Sequence, residues 1–220
     1  MLRKLMRVLL SGSANRPRAH AQSQASAGRR THFDDRRRRP SDLARDVLAT
    51  SPVIFDTETT GLSGSDQIVE ISCVSATGEV LLDSLVRASC PVSQGARQVH
   101  RISDADLAQA PTIQELMPAL HEVFDGRTVL AYNFDFDRRL LAQTISAAGL
   151  HWPDEWRHWG ESPDRYCIMR LYARFRGDKW HKLGDALAQC GLELDDSLHR
   201  ASADASAALL VLQHIASGRR

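Results

Sequence analysis

The sequence predicts an α/β fold built on a mixed sheet, three antiparallel strands followed by parallel strands, with helices on both faces. Two patterns predict it. Three β-branched and aliphatic runs come first, and short apolar runs then alternate with helical patterns. With 220 residues, 43% of them hydrophobic, the chain is long enough to bury one core. No apolar run approaches the roughly 20 residues that span a bilayer, so an integral membrane protein is not expected.

The strands are defined by runs of Val, Ile and Leu between turn residues. We predict strands at residues 53–55, 68–74, 80–86 and 128–132, and a fifth, shorter strand at 166–168. The Thr77-Gly78 turn joins the second and third runs and predicts a hairpin.

Capping patterns indicate where the helices begin. Thr112 is followed three residues later by Glu115, a capping box that predicts a helix through Phe124, and Ser103 with Asp106 predicts a shorter helix before it. Further helices are predicted at residues 136–148, 169–175 and 182–189, and a last one runs through Ile215.

The net charge of +1 hides two segments of opposite charge. Residues 1–46 hold twelve Arg or Lys and four Asp (12 − 4 = +8), and residues 47–220 hold the other sixteen basic and twenty-three acidic residues (16 − 23 = −7). We therefore divide the chain into a basic, disordered extension, 1–46, and one folded domain, 47–220. The extension is consistent with a dispensable segment, a nucleic-acid-binding arm or a targeting sequence.

The first candidate site is an acid pair at the end of the first strand. Asp56 and Glu58 are two residues apart in extended chain, so both side chains project from the same face and Thr57 from the other. Two carboxylates this close repel each other unless a cation lies between them. Oxygen ligands favour hard cations such as Mg²⁺ or Mn²⁺. The pair predicts a metal site, although a lone pair of this kind is more often two solvated acids.

The second candidate is Asp137, in the stretch Asn133-Phe-Asp-Phe-Asp137. The stretch lies where a strand ends and a helix begins, the edge of an α/β sheet at which ligands usually bind. A carboxylate is favourable in the first turn of a helix, so a capping role is the competing interpretation. Asp135 lies in the same stretch, and only the context favours Asp137.

The third candidate is the pair His199 and Asp204, five residues apart at the start of the last helix. A histidine side chain ordinarily titrates near neutral pH and can accept a proton from water as a general base. Taken alone, a histidine in this position is more often an ordinary residue at a helix start.

In this order and spacing, the three motifs resemble those of the DEDDh group of 3′–5′ exonucleases. This ribonuclease-H-like superfamily includes proofreading epsilon subunits, RNase T and oligoribonuclease. The resemblance runs from Val53 to Ile215: VIFDTETTGL is similar to the first motif, YNFDFD to the second and HRASADA to the third. A histidine five residues before Asp204 indicates the histidine branch.

The resemblance implies a role for each motif residue. Asp56, Glu58, Asp137 and Asp204 correspond to the four metal-binding acids, and His199 corresponds to the general base. The residues expected to bind the 3′-terminal nucleotide are Thr59, Thr60, Gly61, Leu62, His100 and Asn133. At Arg101 the sequence departs from the family, which has glycine after this histidine.

The implied reaction is two-metal phosphodiester hydrolysis that releases 5′-mononucleotides from the 3′ end of single-stranded DNA or RNA, with two Mg²⁺ or Mn²⁺ ions per site. The partner is a nucleic acid with a free 3′ end and not a membrane. A stand-alone nuclease in DNA repair, DNA turnover or RNA processing competes with a proofreading polymerase subunit and with an inactive binding module. The chain ends soon after the last motif, which favours the stand-alone enzyme. We expect a cytoplasmic protein, or a mitochondrial matrix protein if the basic N-terminus is a presequence.

Overall fold

In a computed structural model of the protein, the structure describes residues 35, 37–159, 166–192 and 199–219. Its sheet has four strands in the order β3-β2-β1-β4. The strands are β1 (Val53–Thr59), β2 (Ile68–Ser75), β3 (Val80–Leu85) and β4 (Val129–Leu130). The first three are antiparallel neighbours and β4 is parallel to β1, so the predicted mixed sheet is confirmed.

Eight α-helices and a 3₁₀ turn surround this sheet in the described part of the chain. The helices are α1 (Pro40–Ala49), α2 (Gln94–His100), α3 (Asp104–Leu107), α4 (Ile113–Phe124), α5 (Phe134–Ala147), α6 (Ile168–Arg176), α7 (Leu183–Gln189) and α8 (Ala201–Ser217), and the 3₁₀ turn is Asp154–Trp156. Both predicted capping boxes are present, at Ser103 and Thr112.

Helices cover both faces of the sheet because β1 alternates its buried side chains between them. Val53 and Phe55 belong to a core with α4 and α5, whereas Ile54 belongs to a second core with α1, α6 and α8. Consecutive strand residues face opposite sides, so this arrangement places Asp56 on the α8 face and Thr57 on the α5 face. Among the residues that the structure describes, no helix combines the length and apolarity needed to cross a membrane.

The predicted fifth strand needs correction. Residues 166–168 contribute a single parallel bridge between Ala131 and Cys167, and the chain turns at once into α6. The backbone N–H of Ile168 donates to the Ala131 carbonyl at 3.1 Å and that of Met169 to the Tyr132 carbonyl at 2.8 Å. The helix therefore begins where a longer strand would have continued.

The predicted boundary between residues 46 and 47 falls inside α1. Leu43, Ala44 and Val47 have no exposed surface and pack in the core that contains α8. The basic composition before residue 47 concealed this short amphipathic helix. Residues 1–34, which make up most of the extension predicted to be disordered, lie outside the described ranges.

Replacing Leu43 with alanine should lower the free energy of unfolding by about 2–5 kcal/mol, since it removes a fully buried side chain and leaves a cavity. Urea unfolding of the full chain measures this. The control is Val99→Ala, at a side chain that is 48% exposed, which should change stability by less than about 0.5 kcal/mol. Equal, small effects in both variants would show that α1 is not part of the core.

Candidate active site

Three carboxylates converge at the end of the central strand β1. Asp56 and Glu58 project from β1 and Asp204 from the first turn of α8, and each offers an oxygen within 4.8 Å of the other two. All three residues are partly buried. The packing of α8 across β1 and β2 brings Asp204 to the strand pair from a distant part of the sequence. The sequence-predicted pair thus gains a third member from the last motif.

The donor set fits a hard divalent cation. All three groups present carboxylate oxygens, the ligand type that Mg²⁺ and Mn²⁺ prefer. In addition, Oδ1 of Asp204 is buried and has no hydrogen-bond partner among the described residues. A buried acceptor without a donor is unfavourable in the protein alone, and a bound cation would remove that cost.

The pKa values of the site residues are raised because several carboxylates are buried close together. Burial, followed by the charges of Asp137, Asp204 and Glu58, raises the pKa of Asp56 well above its ordinary value. Burial and the neighbouring acids raise the pKa of Glu58 to about 8. Burial also raises the pKa of Asp204, against a lowering effect of the His199 ring and backbone. The carboxylates are destabilised in their charged form unless positive charge is supplied.

Asp137 reaches the site from the opposite side of the sheet. It is 3% exposed, in the first turn of α5, and its Oδ1 accepts a hydrogen bond of 2.8 Å from the Thr57 hydroxyl. Burial raises the pKa of Asp137 to about 7 against these Thr57 contacts. Asp137 is not in the close group of three, but its charge raises the pKa of Asp56. Asp135, by contrast, is exposed and pairs with Arg170 at 2.7 Å.

His199 lies immediately before α8, exposed, with a left-handed backbone at φ 76°. This conformation is uncommon for a residue other than glycine and costs on the order of 1–3 kcal/mol. The ring and the backbone of His199 both lower the pKa of Asp204, so His199 lies near this carboxylate. His199 and Asp204 lie on either side of the start of α8, with His199 before the helix and Asp204 in its first turn.

The loop that follows β1 is closed by Asp66. Its carboxylate accepts hydrogen bonds from the Thr60 hydroxyl and the Ser63 backbone N–H, both at 2.6 Å. A Cβ on Gly61 would lie 2.7 Å from the Asp66 carboxylate, so glycine is needed for this closure. Leu62 is 76% exposed at the loop tip. The loop is therefore fixed by its own side chains and presents its tip outward.

The remaining predicted substrate residues divide into two kinds. Asn133 is exposed and makes no capping bond to α5, so within the described part of the chain its amide is open to a ligand. His100 is 3% exposed, its Nδ1 accepts from the Ile102 N–H and its Nε2 lies 3.0 Å from the Thr59 carbonyl. No ring nitrogen is left for the substrate contact expected from the sequence, and the ring instead holds Thr59 in place.

Arg101 stands at the position where the family motif has glycine. It ends α2 in the left-handed region, at φ 64°, the conformation that glycine adopts most easily. Arg101 therefore adopts a backbone conformation that glycine would adopt without strain.

One buried acid beside the site was left without a role by the sequence. Glu70 is directly opposite Glu58 in the β1–β2 pair and is 3% exposed. It binds the guanidinium of Arg200, a residue 130 positions away in the sequence. A lone acid on a strand carries no signal of such a partner.

The family of the chain follows from its similarity to known proteins. The model of the RNase T exonuclease family matches residues 53–212. The chain belongs to this family of exonucleases. It is therefore a nuclease, an enzyme that hydrolyses phosphodiester bonds, and the family depends on divalent metal, in agreement with the acid group at Asp56.

Relatives of this exonuclease include phage and bacterial proteins. It is 34% identical to an uncharacterized exonuclease, CP81, of Escherichia phage 186, over 81% of this chain and 94% of that one. It is 36% identical to exodeoxyribonuclease 10 of Escherichia coli K12, over 55% of this chain and 46% of the relative. The chain thus spans about half of the length of exodeoxyribonuclease 10.

Solved structures share the fold of this exonuclease. Exonuclease X in complex with 5′ overhanging duplex DNA is similar at 29% identity and a TM-score of 0.53, over 72% of this chain and 88% of that one. The nuclease domain of 3′hExo, a DEDDh family member bound to rAMP, gives a TM-score of 0.60 at 16% identity, over 74% and 89% of the two chains. These structures confirm the predicted ribonuclease-H-like fold, and the family match over residues 53–212 confirms the predicted relation to exonucleases.

In the absence of metal, the stability of the protein should fall as pH rises from about 5 to about 8. The folded state holds protons on Glu58 and Asp137 up to pKa values of about 8 and about 7, whereas an unfolded chain loses them near its ordinary values of about 4. Because the folded state binds more protons in this window, each rise in pH favours unfolding.

Melting temperatures in EDTA across this window measure the effect, and excess Mg²⁺ should flatten the slope. Asp56→Asn, which removes one of the repelling charges, should show a smaller fall. A metal-free protein that becomes more stable between pH 5 and pH 8 would contradict the assignment.

Proposed function

We propose that this exonuclease removes nucleotides from the 3′ end of single-stranded DNA and releases 5′-mononucleotides, using two divalent cations and His199 as general base. The observation that carries the proposal is the convergence of Asp56, Glu58 and Asp204 within 4.8 Å, with His199 beside Asp204. DNA is favoured over RNA by the names of two relatives above 25% identity, exodeoxyribonuclease 10 and exonuclease X in its complex with 5′ overhanging duplex DNA.

The acids divide between two cation positions, each with Mg²⁺ or Mn²⁺ as the occupant. Asp56, Glu58 and Asp204 would hold one ion, and Asp56 with Asp137 the other. When bound, the ions supply positive charge to the reacting phosphate and lower the pKa of the attacking water. The hydroxyl of Thr57 donates to Oδ1 of Asp137 and so restricts the orientation of this carboxylate.

His199 and the loop after β1 supply the rest of the site. The His199 imidazole accepts the proton of the attacking water, a role open to it because the ring is exposed beside Asp204. Gly61 and Leu62 at the loop tip, together with Asn133, receive the terminal nucleotide. Thr59 and Thr60, which the sequence also predicts as contacts, are buried, and their hydroxyls bond within the loop. Asp66 and His100 keep this loop in shape through the bonds they make to Thr60 and Thr59.

A 5′-labelled single strand, as DNA and as RNA, tests the polarity and the polymer. With Mg²⁺, the proposal predicts a ladder that shortens from the 3′ end on DNA and little degradation of RNA. A 3′-phosphate on the same strand should block the reaction, because the loop receives the free 3′ terminus. Release of the labelled 5′ nucleotide first, or cleavage of a closed circle, would contradict the proposal.

A proofreading subunit of a DNA polymerase is the second candidate. It is favoured by 39% identity to a DNA polymerase III subunit epsilon-like protein of Rhodobacter capsulatus, over 40% of this chain. Excision of a mismatched 3′ terminus several-fold faster than a matched one on the same duplex would support it. Equal rates would favour the stand-alone enzyme. An RNA-trimming enzyme similar to RNase T or oligoribonuclease would instead show its ladder on RNA.

A further inference from the structure

The ion pair between Glu70 and Arg200 lies beside the acid group without belonging to it. Nε of Arg200 donates to both carboxylate oxygens of Glu70 at 3.1 Å, and Nη2 donates to Oε1 as well. The Glu70 side chain is 3% exposed and that of Arg200 is 53% exposed. A guanidinium bound through two nitrogens is held in one orientation, which a single contact would not achieve.

The same carboxylate also fixes the start of α8. Oε2 of Glu70 accepts a hydrogen bond of 3.0 Å from the backbone N–H of Ala201, the first residue of that helix. Arg200 and Ala201 are consecutive, so the Arg200 side chain and the Ala201 backbone both bind the same buried carboxylate, that of Glu70 on β2. A negative group at a helix start also interacts favourably with the helix dipole.

This anchored point lies between the two functional residues of the last motif. His199 precedes it directly and Asp204 follows within the first turn of α8. The left-handed backbone of His199, at φ 76°, persists only where neighbouring contacts determine it. The described contacts immediately after His199 are those of Arg200 and Ala201 with Glu70, and the His199 backbone also interacts with Asp204.

We propose that Arg200 is a positioning residue: its ion pair with Glu70 fixes the backbone from which His199 presents its ring to the attacking water. The inference rests on the proposed function, in which His199 is the base. Arg200 acts through His199, so its loss should lower kcat and leave KM nearly unchanged. A displacement of about 1 Å at a catalytic group costs on the order of 100-fold in rate.

The test compares Arg200→Ala and Arg200→Lys in two backgrounds, wild type and His199→Ala, with single-stranded DNA at saturating Mg²⁺. In wild type, Arg200→Ala should lower kcat by about 10- to 100-fold, and Arg200→Lys, which keeps the charge but loses the two-nitrogen contact, should lower it less. In His199→Ala, either change should cost less than about threefold, because residues that act as one unit are not additive.

Two further variants separate positioning from other roles. Arg97→Ala is the matched control, since Arg97 is 48% exposed and pairs with Asp104 at 2.8 Å rather than with Glu70, and it should retain wild-type kcat. Glu70→Gln combined with Arg200→Ala removes both charges of the pair. The double variant should remain as slow as Arg200→Ala, because neutralising Glu70 does not restore the anchor.

Three outcomes would overturn the proposal. A raised KM with unchanged kcat would assign Arg200 to substrate binding, and an equal loss of kcat in both backgrounds would assign it to the fold. Recovery of kcat in the double variant would show that Arg200 only balances the charge of Glu70. Melting curves accompany each variant, and Arg200→Lys carries the test if Arg200→Ala does not fold. Full activity of His199→Ala would instead refute the proposed function, and so the two failures are distinguishable.

Discussion

Replacing Asp56 with asparagine is expected to lower the rate of nucleotide release by at least about 1,000-fold, because a divalent cation in such a site contributes several kcal/mol to the transition state. Asp56 is the acid on which the charges of Asp137, Asp204 and Glu58 all act, and it contributes to both proposed cation positions. Rates at saturating Mg²⁺ on labelled single-stranded DNA measure the loss.

The same change should make the metal-free protein more stable. Burial and repulsion raise the pKa of Asp56, which means that its charged form weakens the metal-free fold, and asparagine removes that charge. The control is Asp135→Asn, an exposed acid paired with Arg170, which should leave the rate within about twofold of wild type. A slow Asp56→Asn variant that is also less stable in EDTA would indicate damage to the fold and not loss of a ligand.

Replacing His199 with alanine is the second large expected effect, a fall in kcat of about 100- to 10,000-fold, the usual contribution of a general base. The affinity for Mg²⁺ should change little, because the three close ligands are Asp56, Glu58 and Asp204. This combination, a low rate with intact metal binding, separates His199 from the acids.

The matched control for this variant is His151→Ala, at an exposed histidine outside the motifs, which should keep the wild-type kcat. If His199→Ala retained more than about a tenth of the wild-type rate, another group would have to accept the proton.

The centre of the site could be predicted from sequence because its signals are local. The period of two in a strand places Asp56 and Glu58 on one face, and the strand-to-helix junction places Asp137 at the sheet edge. The helix start between His199 and Asp204 explains their five-residue spacing. In each case a short segment and its secondary structure determine where the side chain points.

Contacts between distant segments could not be predicted in this way. The pairing of Glu70 with Arg200 depends on how α8 crosses β2, and nothing near Glu70 in the sequence indicates a guanidinium. The helix α1 was assigned to a disordered segment because its charge resembles that of the preceding residues, whereas its burial depends on α8. The role of His100 depends on the carbonyl of Thr59, 41 residues earlier.

The central claim is that four acids form a two-cation catalytic centre: Asp56, Glu58, Asp137 and Asp204. The most direct test counts bound Mn²⁺ by electron paramagnetic resonance while nuclease activity is followed in the same titration. We predict two Mn²⁺ ions per wild-type chain, magnetically coupled, with activity that rises as the second ion binds and disappears in EDTA. Asp56→Asn should lose the coupled signal together with the activity. Full nuclease activity in EDTA, or an Asp56→Asn variant that binds two coupled ions and degrades DNA at the wild-type rate, would contradict this account.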